Sequence, residues 1–419
     1  MIRSTAALFL VSVCACIAGC SPKVVQEPAP VGHGPVVRVL LAETAGPFVV
    51  TCGGGFHIEA ESGAVVTRSN TSSTITVGAA GKSLQILLSP QGSAAAVEGE
   101  AYITPFRSGS LVYAGVTYGG RILVQAGESN KLRLINVVPL EVYLEGVLPH
   151  EMGDPGPDGF AALEAQAVAA RTYAMKRIEA RAGEAFDVYA SVQDQLYRGM
   201  TGTNRLASGA VRETRGMVLM YDERLASTYY CATCGGHTSD IRPVWPRREP
   251  GAYLRGVLDR APGERESFCS GARNFRWSYA FTGRELGRIL RRTIPSELGI
   301  PADRVGSLVD VRIAERSESG RVRKLEIVTS QGTYGAEADR IRWVLALDPD
   351  RGTILPSTMF ELRKEMRDGR LAFITVMGGG NGHGVGMCQN GAIEMARRGY
   401  PYDAILSHYY PGTKLVRRY

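Results

Sequence analysis

Apolar residues in this chain follow two regimes, one on each side of Pro139. Before it, from Val37 to about residue 135, they come in short β-branched runs spaced by Gly, Ser and Asn. Examples are Val37-Arg38-Val39-Leu40-Leu41, Thr74-Ile75-Thr76-Val77 and Arg121-Ile122-Leu123-Val124. Runs of this length, punctuated by turn residues, predict strands. They make residues 37–135 a β-rich N-terminal module, a small sheet or barrel.

After Pro139 the period lengthens. Leu140, Leu144, Val147 and Leu148 stand at i, i+4, i+7 and i+8, one stripe of a short helix that Pro149 is expected to end. A long helix is predicted over about Phe160–Arg181. Its packing face is Phe160, Leu163, Ala167, Ala170 and Ala174, and its alanines permit close approach of a neighbour. Strand and turn patterns return over 215–245. Helix is expected over 282–295, and antiparallel strands over 308–345 with a turn near Ser319. A glycine-rich loop at 378–386 leads into a helix from Asn390 to Arg398, followed by a short one over Tyr402–His408. The fold class is therefore α+β: the β-rich module plus a mixed α/β region, residues 136–419, with a groove between them.

The N-terminus has its own pattern. One charge, Arg3, precedes an apolar run that is short against the ~20 residues of a membrane span. The run closes on Ile17-Ala18-Gly19-Cys20. This reads as a lipoprotein signal peptide, residues 1–19, with Cys20 as the lipidated first residue of the mature chain. Residues 20–36 then form a Pro- and Gly-containing tether. The expected location is exported and lipid-anchored to the cell envelope, at the outer membrane if the host is Gram-negative, because residue 21 is Ser rather than Asp.

Composition narrows the function. The formal net charge of +7 is spread as isolated Arg and Lys, with only short runs such as Arg247-Arg248. No basic stripe with interleaved aromatics is present, so nucleic acid is not expected as a partner. An anionic wall polymer or a membrane surface suits the charge better. Beyond the signal region stand Cys52, Cys231, Cys234, Cys269 and Cys388.

Three constellations carry candidate chemistry: Pro139–Met152 with the helix segment Ala165–Tyr173; Tyr230–Thr238; and Gly382–Ala392 with His408–Thr413 behind it. In this order they resemble the stage II sporulation protein D / LytB amidase-enhancer family. That family carries Pro-Leu-Glu-x-Tyr-Leu-x-Gly-Val and a Glu-Met pair, followed by Ala-Gln-Ala-Val-Ala-Ala-Arg-Thr-Tyr. Then come Gly-Gly-x-Thr, Gly-His-Gly-Val-Gly-Met-Ser-Gln-x-Gly-Ala and His-Tyr-Tyr-Pro-Gly-Thr. The resemblance implies a protein acting on peptidoglycan glycan strands, as a lytic transglycosylase or as an activator of a cell-wall amidase. There are two departures. Cys388 stands where the family has serine, and a His-Cys-Gln-Val-Tyr segment that supplies zinc ligands in some members reads Gln193-Asp194-Gln195-Leu196-Tyr197 here.

By position Glu151 is the family's catalytic glutamate. Breaking a β-1,4 glycan without water needs one group that protonates the leaving oxygen and then takes the proton of the sugar's own 6-hydroxyl. A single carboxyl of raised pKa can do both. Gln166 and Tyr173 share a helix face, and they join His383 and Gln389 as candidate sugar-binding residues. A rival pairs Cys388 with His383 as a thiol hydrolase. Arg171 suits a buried ion pair better than substrate. Cys231, Cys234, His237 and Cys269 fit either a structural zinc site or a disulfide involving Cys269. No cofactor is required for the glycan chemistry. Cys52 is expected to be a buried small residue.

Overall fold

The computed structural model describes residues 34–106, 109–127, 131–248 and 251–419. The signal peptide, Cys20 and most of the tether lie outside the described residues.

The N-terminal half folds as expected into strands, but as two sheets rather than a barrel. One has seven strands; the other has six. Strand Ser73–Ala80 shows why: alternate residues, among them Ile75 and Val77, are buried, and the residues between them are not. Its neighbour Ser83–Ser89 repeats the pattern with Leu84, Ile86 and Leu88. Period-2 alternation gives each strand one apolar face. The faces of both sheets meet in one core containing Phe48, Val50, Phe56, Ile58, Ile103, Leu111 and Val124. Cys52 lies in this core, fully buried, as expected of a small apolar residue.

The boundary at Pro139 is continuous. Strand Leu132–Pro139 runs directly into the first helix, α1 (Leu140–Met152). Strand Val36–Thr44 pairs with it and, on its other edge, takes Val188-Tyr189 in parallel. A strand from the second region thus completes the N-terminal sheet.

Helix α1 does not stop at Pro149. It continues to Met152, where Gly153, at φ 66°, caps it by donating its N–H to the Pro149 carbonyl at 3.0 Å. A proline removes a single intrahelical bond, and the loss is tolerated one turn from the end. His150 and Glu151 therefore belong to the last helical turn. The long helix α2 (Phe160–Ala180) follows. It is buried on nearly every side, against α1, α3 (Arg205–Glu213), and the later helices α6 (Gln389–Arg397) and α7 (Tyr402–Tyr409). Alanine at 162, 165, 167, 169, 170 and 174 lets all four neighbours approach.

The region after 136 contains a further body. Helix α4 (Gly283–Leu298), the one-turn helix α5 (Ile341–Val344) and two three-stranded sheets enclose their own core, with Leu286, Leu290, Val311, Leu325, Ile341 and Ile374. The turn after strand Leu308–Arg316 falls at Ser317–Gly320, as the sequence indicates. This body is inserted into the helical region. Residues up to Phe275 still pack on the helical core, the body begins with strand Trp277–Thr282, and the chain returns at 381–388, where Tyr230-Cys231 pairs in parallel with Met387-Cys388 and Thr233 pairs with Asn381. Among the described residues no helix is long and apolar enough to cross a membrane.

Candidate functional site

Glu151 sits half-buried at the end of α1. Its Oε1 accepts the backbone N–H of Leu196 at 2.8 Å. Burial raises its pKa above the ordinary glutamate value, while the Leu196 N–H and the Gln389 side chain work in the opposite direction and favour the ionised form. Burial wins. The group is a carboxyl that holds its proton to higher pH than glutamate in water. Gln389 is buried at the start of α6, and its Nε2 makes no hydrogen bond of normal geometry among the described residues.

Around this carboxyl lies a polar network centred on Gln195. Gln195 Oε1 accepts from the Tyr143 hydroxyl, and Nε2 donates to the Tyr230 hydroxyl, both at 3.0 Å. A second contact, 3.4 Å, runs from Nε2 to the Ala170 carbonyl in α2. The charge of Glu151 reaches both tyrosines, raising their pKa values further beyond the effect of burial. Next to Gln195, Asp194 accepts the Tyr173 hydroxyl at 2.6 Å and pairs with Arg177 at 3.0 Å. The segment 193–197 thus offers amides, a carboxylate already committed to Arg177 and Tyr173, and a tyrosine. It holds no thiolate or imidazole, so the zinc site of some family members does not fit these residues.

Of the candidate sugar-binding residues, Gln389 stands beside Glu151. Tyr173 is half-buried and joins an aromatic row. Its ring meets Tyr229 at 6.3 Å, Tyr229 meets Trp245 at 4.9 Å, and Trp245 meets His383 at 4.7 Å. The Arg248 guanidinium lies over Trp245 and Tyr229. Burial, and then the charges of Arg342 and Arg321, push His383 down to about 3, so its ring is neutral. Its Nδ1 accepts the Val385 N–H at 3.0 Å, which leaves the proton on Nε2. Gln166 shares the helix face of Ala170 and Tyr173, but it is fully buried and neither amide atom has a hydrogen-bond partner among the described residues. Trp245 and Arg248 line a cleft of about 1110 Å³ that Glu151 does not reach.

Several expectations change. The amides of the 382–391 loop are spent inside the fold: Gly382 N–H goes to Pro356, Met387 N–H to Tyr229 and Asn390 N–H to Ala232. They do not form an open cradle. The Cys388/His383 pair is not assembled, because Cys388 is fully buried with its Sγ accepting the N–H groups of Cys234 and Gly391. Burial raises the Cys388 thiol, which disfavours the thiolate nucleophile such a hydrolase needs. The cysteine cluster also differs. Cys234 and Cys269 come together, but with Cys388 and Asp259 rather than with Cys231 and His237. His237 Nδ1 instead meets the Thr238 carbonyl. The five described cysteines are free. Arg171 is where the sequence put it, fully buried and bidentate to Glu141 at 2.8 and 2.7 Å.

Leu196, Gln195 and Asp259 had no motif signal as site residues, whereas Tyr143 and Tyr230 stand inside motifs without being singled out. Gln195 and Leu196 meet Tyr143 and Glu151 of α1 only because the chain folds back by about fifty residues. The substitution at 193–197 was the one available pointer to that segment.

The comparisons agree with this layout. Residues 128–221 match the stage II sporulation protein family, and residues 248–386 match a domain of unknown function (DUF8618) that contains the inserted body. The chain is 32% identical, over 72% of its length and 73% of the relative's, to an uncharacterized protein of Brachyspira hyodysenteriae. It is 29% identical to the stage II sporulation protein D of Bacillus subtilis, over 66% of this chain and 74% of that one. It is 28% identical to the amidase enhancer of Bacillus subtilis, over 65% of this chain and only 40% of that one. With the ordered motifs about Glu151 and the match over 128–221, the chain belongs to the stage II sporulation protein D and amidase-enhancer (LytB) family.

Proposed function

We propose that this protein acts on peptidoglycan at the cell envelope as a lytic transglycosylase, with Glu151 as its acid and base. The observation that supports this most is the half-buried carboxyl at the end of α1, whose pKa burial raises and which the Leu196 N–H orients. The protonated Glu151 donates to the glycosidic oxygen as the C1–O bond breaks. The resulting carboxylate then removes the proton of the sugar's 6-hydroxyl, whose oxygen bonds to C1 and closes a 1,6-anhydro ring. Glu151 ends protonated, and no water is consumed. Gln389 holds the carboxylate once it forms. The Tyr173–Tyr229–Trp245–His383 row supplies aromatic faces for sugar rings. Lipid on Cys20 and a tether of 16 residues, at most ~55 Å when extended, would hold this site near the anchoring membrane.

The test is incubation of intact wall, and separately of peptide-stripped glycan strands, with the protein and with Glu151→Gln. Anhydro ends seen by mass spectrometry and lost in the variant support the reading. No product from either substrate overturns it.

A second reading has its own support in the relative named amidase enhancer, and in the absence of Glu151 from the large cleft at Trp245. In it the protein binds wall and stimulates a separate amidase. Faster amidase cleavage that is retained by Glu151→Gln would favour it.

A further inference from the structure

Four side chains converge where the inserted body joins the helical region. Cys234, Asp259 and Cys269 lie before the chain enters that body at Trp277, and Cys388 lies where it returns. Their candidate ligand atoms all lie within 4.8 Å of one another, and all four residues are buried. We propose that Cys234, Cys269, Cys388 and Asp259 bind one zinc ion, which staples the root of the inserted body to α6 and α7. This assignment does not depend on what Glu151 does.

Geometry separates zinc from a disulfide. The Cys234 and Cys269 sulfurs are 3.7 Å apart. Two thiolates at ~2.3 Å from a tetrahedral zinc stand ~3.8 Å apart, whereas a disulfide needs ~2.05 Å. The surroundings are those of thiolate ligands. Cys388 Sγ accepts N–H groups from Cys234 at 3.2 Å and Gly391 at 3.4 Å, and Cys234 Sγ accepts that of Gly236 at 3.4 Å. Cys388 also caps the N-terminus of the nine-residue α6, where the helix dipole favours a negative sulfur. The Asp259 carboxylate is oriented on both oxygens: Oδ1 accepts the Tyr409 hydroxyl at 2.6 Å, and Oδ2 the Cys269 N–H at 3.0 Å. Such outer partners are what fix metal ligands in place.

A second observation is independent of the sulfurs. Arg321, from the inserted body, is 1% exposed, and its Nε and Nη1 have no hydrogen-bond partner among the described residues. Its Nη2 donates to the Cys234 carbonyl at 2.7 Å. A buried guanidinium without an anion is costly. The charge of Asp339 reaches it, but that carboxylate is already paired with Arg342 at 3.3 Å; three thiolates and a carboxylate around one Zn²⁺ add net negative charge on the Cys234 side. Gly384, at φ 82°, is what lets it lie there, since any Cβ would run into the guanidinium.

The experiment is metal analysis by plasma mass spectrometry on the full-length chain, purified without chelator or added metal. Non-reducing peptide mapping is run in parallel. The expected result is roughly one zinc per chain, retained through desalting. Cys388→Ser and Asp259→Asn should weaken zinc binding ~10-fold or more, while Cys52→Ser keeps the full amount. Cobalt(II) exchanged into the wild type should show a thiolate-to-metal charge-transfer band that Cys388→Ser weakens by about a third. Metal-free wild-type protein, with free thiols or with Cys234 and Cys269 joined in one peptide, overturns the assignment. So does zinc that persists unchanged in a folded Cys234→Ser/Cys388→Ser double variant.

Discussion

The backbone N–H of Leu196 donates to Glu151 Oε1 at 2.8 Å, joining the last turn of α1 to a segment 45 residues later. That segment is where other family members place zinc ligands. In this chain it holds a carboxyl group by one amide and a glutamine-centred network instead.

Burial raises the Glu151 pKa, so its protonated form is favoured in the folded state. The sign for stability follows from linkage: whatever Glu151 contributes is present below the unfolded value near ~4.3, and is lost as pH rises through the higher folded value. Glu151→Gln should therefore be more stable than wild type at pH 7, with the gain disappearing by about pH 4. Urea denaturation at both pH values measures this. Equal stabilities at pH 7 would contradict a carboxyl strained by burial.

Arg171 carries the opposite case. Burial alone would raise the Glu141 carboxyl, but the bidentate bond and charge of Arg171 outweigh it and hold it low. Arg171→Met should cost about 3–5 kcal/mol, because it leaves a mostly buried carboxylate unpaired. Chemical denaturation at pH 7 reads this. In wild type this pair's contribution is present above the unfolded glutamate pKa and is lost as pH falls through the lower folded value.

Trp245 links Tyr229 to His383 in the aromatic row. Trp245→Ala should weaken binding of peptide-stripped glycan strands roughly tenfold, about 1.4 kcal/mol, with little loss of thermal stability because the ring is only half-buried. Co-sedimentation with insoluble wall gives the affinity. Unchanged binding would remove the row from the glycan site.

Gly391 lies against the Tyr409 hydroxyl and Asp259 Oδ1, and a Cβ there would overlap both. Gly391→Ala should therefore destabilise by about 1–3 kcal/mol, even though alanine favours helix by about 1 kcal/mol elsewhere. A melting temperature at or above wild type would show that the neighbours yield.

Much of the fold can be read from periodicity. The alternation in Ser73–Ala80, the alanine run of α2 and the turn at Ser317–Gly320 are local patterns, and local geometry answers to them. Pro149 was misleading for a local reason: one missing amide near a helix end does not stop the helix. The inserted body was less legible. Patterns over 282–345 gave α4 and the sheet after it, but not α5 or the sheet of Trp277–Thr282, Phe360–Arg367 and Arg370–Gly378, and separate cores are defined by which apolar faces meet.

Motif order pointed to Glu151, Gln166, Tyr173, His383 and Gln389 as candidates, and to Arg171 as an ion-pairing residue, which it is, with Glu141. The sequence by itself determined the elements, the family and the residue types that carry chemistry, because these depend on spacing along the chain. Only the tertiary structure decided the partners. Leu196 reaches Glu151, Asp259 replaces His237 beside Cys234 and Cys269, and Cys388 leaves His383 for that cluster. The reason is physical: burial and long-range approach set each group's charge and hydrogen bonds, and neither is encoded in the spacing of neighbours.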